Sequence, residues 1–569
     1  MLNAQIVHVS PQNNSVLNLP KSRIIIRLMH PLDKDFLHDF KCKILDQNNH
    51  SYDYTLNVCA DEKTLNIKSC SPYPEGSTIY VSIQDITDAE GGHYSVNLEF
   101  SVGKNNKQVI EKARIPYMQK SHLQSLDNPP DFPQVTVDII DSTKIADGYI
   151  FFHNFHGIPE ESDYIAIIDN YGEAVYSRRV ETITGMSFKL QKNGMLTFWD
   201  YNLSAFVMMD SSYTDIDTLR CVDGYITNFH DCRVTPENHV WLFAYDEQYV
   251  DLSDSIFLGN HNALVEGVVI QELDEDRNLV FQWRSWDHFS VFDAVHITDY
   301  TADEIRFIHC NSLDLDSDTS FIISCRNMDE VTRIDSRTGE IIWRLGGLKN
   351  QFSFIDDNEG FCWQHDVRRL SNGNILMFNN GNYLPNQVSR VAEYEIDEEN
   401  MTAKLVWNFI HPDQIYSSKT GSAQRLPNGN TFVNWALSND PAVPSFTEVT
   451  RDCVVVYELY FNNPNITYQS TRNVWLDTSS SGETIKQIKT PSFVQLVPNP
   501  ADEFVKLYGV ENRFDQFTVY SITGKIIFKG DIINDASRQI PTDSWANGIY
   551  ILQLSGQDIV HSQKLIVRH

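Results

Sequence analysis

Apolar residues in this chain alternate with polar ones in short runs, and the three-to-four spacing of an amphipathic helix is weak throughout. Between residues 1 and 103 the β-rich runs 23–28, 78–83 and 94–102 are separated by turn clusters such as Asp88-Ala-Glu-Gly-Gly92. Strands at that spacing predict a small sandwich. Residues 104–130 are polar and contain Asn128-Pro-Pro130, which reads as a linker or an arm. The segment 490–569 is a third β-rich block with turn chemistry at each join.

The middle block, 131–480, repeats itself. Five segments combine a short strand, a tight turn and a β-rich return: SFKLQKNGMLTFW, HDCRVTPENHVWLFAYD, HCNSLDLDSDTSFIISCR, HDVRRLSNGNILMFNN and GSAQRLPNGNTFVNW. The stretch DGYIFFHNFH opens a sixth unit. Asn-Gly marks a hairpin because a tight primed turn needs positive φ. Further strand pairs ending in Trp follow, as in Gly339-Glu-Ile-Ile-Trp-Arg and Ala403-Lys-Leu-Val-Trp-Asn. Two hairpins per unit, repeated every ~45–80 residues, predict a propeller. The expected fold is therefore all-β: a six-bladed β-propeller flanked by an N-terminal Ig-like β-sandwich and a small C-terminal β-sandwich.

Register within the repeat supplies the candidate chemistry. Counting back about seven residues from the inner turn reaches His230, His309 and His365 in three units, and Gly185-Met186 and Thr420-Gly421 in two others. Counting forward from the turn that follows His309 reaches Arg326. Innermost propeller strands face the axis, so these four side chains are expected to converge. Three imidazoles suit a metal with an open position; imidazoles with a guanidinium equally suit a tetrahedral oxyanion, with one His as nucleophile. His153 and His156 read as channel-mouth or surface-turn residues. Asp314-x-Asp316-x-Asp318 lacks the glycine and late Glu of a calcium loop and reads as a solvated turn.

Charge narrows the partners. The 569 residues carry 45 Lys+Arg against 76 Asp+Glu, a net −31, of which −4 lies in residues 1–103 and −1 in 491–569. An acidic surface disfavours nucleic acid and anionic membranes, and no apolar run reaches the length of a membrane-spanning helix. Nine cysteines without a CxxC pair argue against structural zinc. The opening MLNAQIVHVSPQ carries no legible signal peptide.

The motif set His309-Cys-Asn-Ser, Ser324-Cys-Arg326, Trp343-Arg-Leu-Gly-Gly347, Gln364-His-Asp366, Ser389-Arg-Val391 and Leu426-Pro-Asn-Gly-Asn-Thr431 resembles the bacterial arylsulfotransferase family over about 300 residues. That resemblance implies a six-bladed propeller moving a sulfuryl group from an aryl sulfate donor to a phenolic acceptor, without a nucleotide donor or other cofactor. It implies His365 as the transiently sulfated nucleophile, with His230, His309 and Arg326 as partners and Asn311 as a substrate contact. The short disulfide loop some members carry before the nucleophile has only Cys362 here. Alternatives on the same histidines are a metal-dependent lyase or hydrolase, and a non-catalytic binding propeller.

Val497-Pro-Asn-Pro-Ala501, Tyr520-Ser-Ile-Thr-Gly-Lys525, Trp545-Ala-Asn-Gly-Ile-Tyr550 and Lys564-Leu-Ile-Val-Arg568 resemble the type IX secretion sorting domain. That implies a secreted or cell-surface protein, handled by the secretion machinery through this domain and exported with a leader. The N-terminal sandwich is read as a spacer or a dimerisation element. Because the remaining −26 falls on the block expected to bind an anion, added salt should screen repulsion. Steady-state kinetics at rising ionic strength are expected to show a falling KM for an aryl sulfate; a steep rise would contradict this.

Overall fold

The computed structural model describes residues 5–104, 129–156, 162–181, 184–256, 258–296, 299–317, 319–438, 442–475, 495–497, 501–508, 516–521, 525–532, 539–555 and 560–569. The expected linker lies almost wholly outside them. Every named element among them is a strand or a single 3-10 turn.

Six sheets of four to six strands follow one another between Val135 and Asn473. Numbered by chain order, sheets 2 to 6 begin on the innermost strands Lys189–Leu190, Ile226–Val234, Cys310–Ser317, His365–Arg369 and Ser422–Arg425. These are the first strands of the five repeated segments. The ladders run outward antiparallel except where Glu304–Arg306 in sheet 3 and Ser353–Ile355 in sheet 5 add in parallel, and the Trp-bearing strands Ile341–Gly346 and Thr402–Phe409 lie toward the outside. The sixth repeat differs from its reading: DGYIFFHNFH supplies the second strand of sheet 1, Tyr149–His156. Its inner neighbours Asn465–Thr467 and Thr471–Asn473 come from the end of the block.

The physical reason is closure. A ring of sheets has two loose ends, and pairing chain start with chain end removes both exposed edges. Here the exchange is double, because Val135–Ile139 also forms the outermost strand of sheet 6 against Val455–Phe461. Hydrophobic cores repeat the same cycle. Separate clusters join sheets 1 and 2, 2 and 3, 3 and 4, 4 and 5, 5 and 6, and finally 6 and 1 through Phe152, Phe432, Phe446 and Phe461. We read each sheet as one blade of a six-bladed propeller.

The N-terminal residues form two four-stranded sheets over a shared core that includes Ile26, Ile44, Leu65, Ile83 and Phe100. This sandwich and the propeller belong to one compact unit, Met1–Ser479. Arg284 ties them together. Its guanidinium reaches the carbonyls of Val16 and Leu17 at 3.0 and 2.7 Å, Asn18 Oδ1 at 3.0 Å and the buried Asp246 carboxylate at 3.1 Å. Asn66 adds a bond to the Leu279 carbonyl at 2.9 Å, and Arg23 pairs with Asp223. The second unit, Ser480–His569, contains a three-stranded and a four-stranded sheet with a core of Leu496, Val505, Val519, Leu552 and Leu565.

His153 is neither at a mouth nor on a surface turn. It sits within a strand, fully buried, with Gly185 so close that a Cβ there would meet its ring at 2.5 Å. The acidic run is not a solvated turn either: Asp316 pairs with Arg333 and with Arg369 at 2.8 Å, and Asp314 accepts from the Arg369 amide at 3.0 Å. Asp318 lies outside the described residues. Truncating Arg284 to Ala would strand the Asp246 carboxylate, and urea unfolding is expected to show a loss of about 3–5 kcal/mol. An unchanged midpoint would mean that the sandwich docks by other contacts.

Candidate active site

The innermost strands of sheets 3, 4 and 5 bring His230, His309 and His365 together. The His230 and His309 rings meet edge to face at 4.8 Å between centroids. His230 is 5% exposed and His365 3%. Arg326, at the end of the return strand in sheet 4, donates its backbone amide to the His309 carbonyl at 3.1 Å. Its guanidinium lies 4.4 Å from the Trp363 ring centroid, and its Nε donates to Asn327 Oδ1 at 3.1 Å. Among the described residues no carboxylate stands within ion-pair distance of it.

The hydrogen bonds fix which nitrogen of each imidazole carries a proton. His365 Nδ1 faces the Trp363 carbonyl at 3.0 Å and Asn380 Oδ1 at 2.7 Å. Asn380 cannot be turned around, because its amide nitrogen donates to the carbonyls of Ser417 and Thr420 at 2.8 and 2.9 Å. Both partners of Nδ1 are acceptors, so Nδ1 bears the hydrogen and Nε2 a lone pair. The backbone amide of Thr420 donates a hydrogen bond to that lone pair at 3.3 Å. In His230, Nδ1 meets Asn228 Oδ1 at 2.5 Å, and the His230 backbone amide donates to the same oxygen at 2.8 Å. This again leaves Nε2 unprotonated. The ring of His309 has no hydrogen-bond partner among the described residues, so neither tautomer is imposed on it.

All three imidazoles are held neutral. Burial, then the field of Arg326, lowers His365 to about 3. Burial, then His365 and Arg326, lowers His230 to about 3. His309 is pushed well below its ordinary value by burial, His230, Arg326 and His365. Burial also lowers the Arg326 pKa, yet a guanidinium stays charged. The site is thus one fixed cation among neutral imidazoles.

Beneath this layer lies a buried ionic frame. Asp231, next to His230, binds Lys189 Nζ at 2.6 Å and Arg368 at 2.9 Å; Arg368 also pairs with Asp366, next to His365. Burial opposes the Asp231 charge, but Arg233, Arg368 and Lys189 together hold its carboxyl well below the usual range. Asp366 adds a bond from the Ala423 amide at 3.1 Å. The frame locks three innermost strands in relative height. Backbone strain gathers at the same level, with φ of +42° at His309, +51° at Asp366 and +64° at Thr420.

Asn311, expected as a substrate contact, lies deeper than the sequence suggests. It is completely buried, its amide donates to the Gln364 carbonyl at 2.7 Å and its own carbonyl accepts from Tyr468 at 3.2 Å. Its side-chain nitrogen braces the strand entry before His365, while its side-chain oxygen is buried with no hydrogen-bond partner among the described residues. Residues missed from the sequence are Asn228, Asn380, Trp363, Thr420 and Tyr468, whose ring lies 5.7 Å from that of His230. Asn380 was open to the count that located Arg326, since it follows the Asn372-Gly373 turn on the return strand. Among the described residues no group of three His, Cys, Asp or Glu is placed to hold a metal ion.

A ring of β-sheets with a His and Arg cluster at its centre, joined to a separate C-terminal β unit, is the class these features define. The arylsulfotransferase (ASST) family model matches residues 136–469, more than half of the chain, and the chain belongs to that family. A secretion system C-terminal sorting domain matches residues 495–568, which implies export to the cell surface or beyond. Among the described residues no helix is long and apolar enough to cross a membrane. No curated protein matches the chain.

Similar solved structures include a protein of unknown function from Bacteroides caccae, at 13% identity, covering 55% of this chain and 93% of that one, with a TM-score of 0.34. A catalytically inactive virginiamycin B lyase from Staphylococcus aureus is 8% identical, covering 58% and 89%, with a TM-score of 0.32.

The neutral imidazoles set the pH response. An ordinary histidine nucleophile with pKa ~6.5 would lose about 30-fold in kcat/KM from about pH 7.5 to 5. With His365 and His230 near 3, the neutral form persists, and kcat/KM is expected to change by no more than about twofold over that range. A steep fall below pH 6.5 would contradict it.

Proposed function

We propose that the chain transfers a sulfuryl group from an aryl sulfate ester to a phenol through a sulfated His365, without a nucleotide sulfate donor. What supports this reading above all is the His365 imidazole. Its Nδ1–H is engaged by two acceptors, and its Nε2 lone pair lies in the field of Arg326, which has no carboxylate at ion-pair distance among the described residues.

In the first half-reaction Nε2 of His365, giving up its hydrogen bond from the Thr420 amide, attacks sulfur, and the S–O bond to the aryl group breaks with its electron pair leaving on phenoxide. Arg326 donates to the sulfuryl oxygens and offsets charge on the transferred group, as cations do in phosphoryl transfer. His309, free to present N–H from either nitrogen, donates to the departing oxygen. In the second half-reaction the acceptor phenol passes its proton through the unprotonated Nε2 of His230 to solvent, where it balances the phenoxide released in the first. The phenolate attacks sulfur, and the N–S electron pair returns to His365. Burial keeps water from competing as acceptor, and the Asn380 and Trp363 bonds hold the imidazole in line through both steps.

The scheme requires two successive displacements. Initial rates with a chromogenic aryl sulfate and varied phenol are expected to give parallel double-reciprocal lines. His365→Asn is expected to reduce turnover by at least about 1,000-fold. Intersecting lines, or a nearly active His365→Asn protein, would rule it out.

A further inference from the structure

Cys310 and Cys325 stand directly opposite each other on the first two strands of sheet 4, with their sulfurs 3.9 Å apart. The next residues outward are His309 and Arg326, and the Arg326 amide donates to the His309 carbonyl. Antiparallel pairs alternate between hydrogen-bonded and non-bonded, so Cys310 and Cys325 occupy a non-bonded position. At such positions the Cα atoms approach to about 4.5 Å, within the span a disulfide accepts. No other pair of thiols among the described residues is recorded in mutual contact, and all nine cysteines carry free sulfurs here.

Two further facts bear on what this pair does. Both side chains are essentially unexposed and belong to the core shared by sheets 3 and 4. The chain also carries an export domain, so it passes through compartments where thiols are oxidised. We propose that Cys310 and Cys325 are an oxidative modification site, joined as a cross-strand disulfide when the exported chain folds outside the cytoplasm.

The chemistry balances with a dithiol oxidant. Each thiol loses its hydrogen and the S–S bond forms. The two electrons and two protons pass to the disulfide of a thiol-oxidising oxidoreductase, which becomes a dithiol. The bond forms while the hairpin is still open to that oxidant. Once sheets 3 and 4 close over the pair, burial holds the Cys325 thiol neutral and unreactive, so the bond must precede packing. Its consequence falls on the site: a covalent tie one residue inside His309 and Arg326 pins the two facing side chains in register. The proposal does not depend on the sulfotransferase reading.

The test uses the full chain in two forms, one recovered outside an exporting cell and one made in a reducing cytoplasm. Each is denatured in N-ethylmaleimide, digested without reduction and measured by mass spectrometry. The exported chain is expected to yield a peptide pair linked through Cys310 and Cys325 that separates on reduction. The cytoplasmic chain should yield both residues alkylated, and the exposed Cys70 and Cys453 mark complete labelling. Exported protein with Cys310 and Cys325 both alkylated would overturn the proposal. As a second measurement, Cys310→Ala, Cys325→Ala and the double variant are expected to lower the Tm of exported protein equally, by about 4 °C or more. Additive losses would count against a bond.

Discussion

One hydrogen-bond arrangement governs the chemistry of this protein: the clamp of two oxygens on Nδ1 of His365. An imidazole in water samples both tautomers and is half protonated near pH 6.5. Between the Trp363 carbonyl and Asn380, buried beside a guanidinium, it has one tautomer and one charge state. In the proposed reaction, a lone pair that stays unprotonated at working pH is available to attack sulfur at every turnover. The desolvation that would silence a lysine or a carboxylate keeps this group reactive, since its reactive form is the neutral one.

That clamp depends on the ring of sheets. Trp363, Asn380 and Thr420 come from three different segments, and His230, His309 and Arg326 from two other hairpins. Only closure of the ring brings them to one height. The buried Lys189–Asp231–Arg368–Asp366 frame sets that height from below. Buried ion pairs give little net stability, because desolvation offsets attraction, but they penalise any slipped arrangement. The frame therefore contributes alignment more than cohesion, which comes from the six inter-sheet cores.

How much of this was legible in the sequence follows from which contacts are local. The hairpins announce themselves through Asn-Gly turns, and counting from those turns found His230, His309, His365 and Arg326 because distance from a turn is distance along a blade. Asn311 came from the motif and not from the count, and the strand pattern does not disclose that its amide would hold the Gln364 carbonyl. Thr420 acts through its backbone amide, which side-chain chemistry does not disclose. Tyr468 and the inner strands of sheet 1 arrive from the far end of the chain, and no local pattern records a closure spanning more than three hundred residues. The −31 charge gave no sign that the histidine cluster holds an arginine with no carboxylate at ion-pair distance among the described residues.

In the proposed reaction sulfur becomes bonded to Nε2 of His365. Rapid quenching of the full-length protein with an aryl sulfate and no acceptor, followed by peptide mass spectrometry under alkaline conditions, tests it most directly. The account predicts one sulfuryl adduct, located on His365 and discharged when phenol is added before the quench. An unmodified His365 peptide during active turnover, or an adduct on His230 or His309 instead, would contradict it.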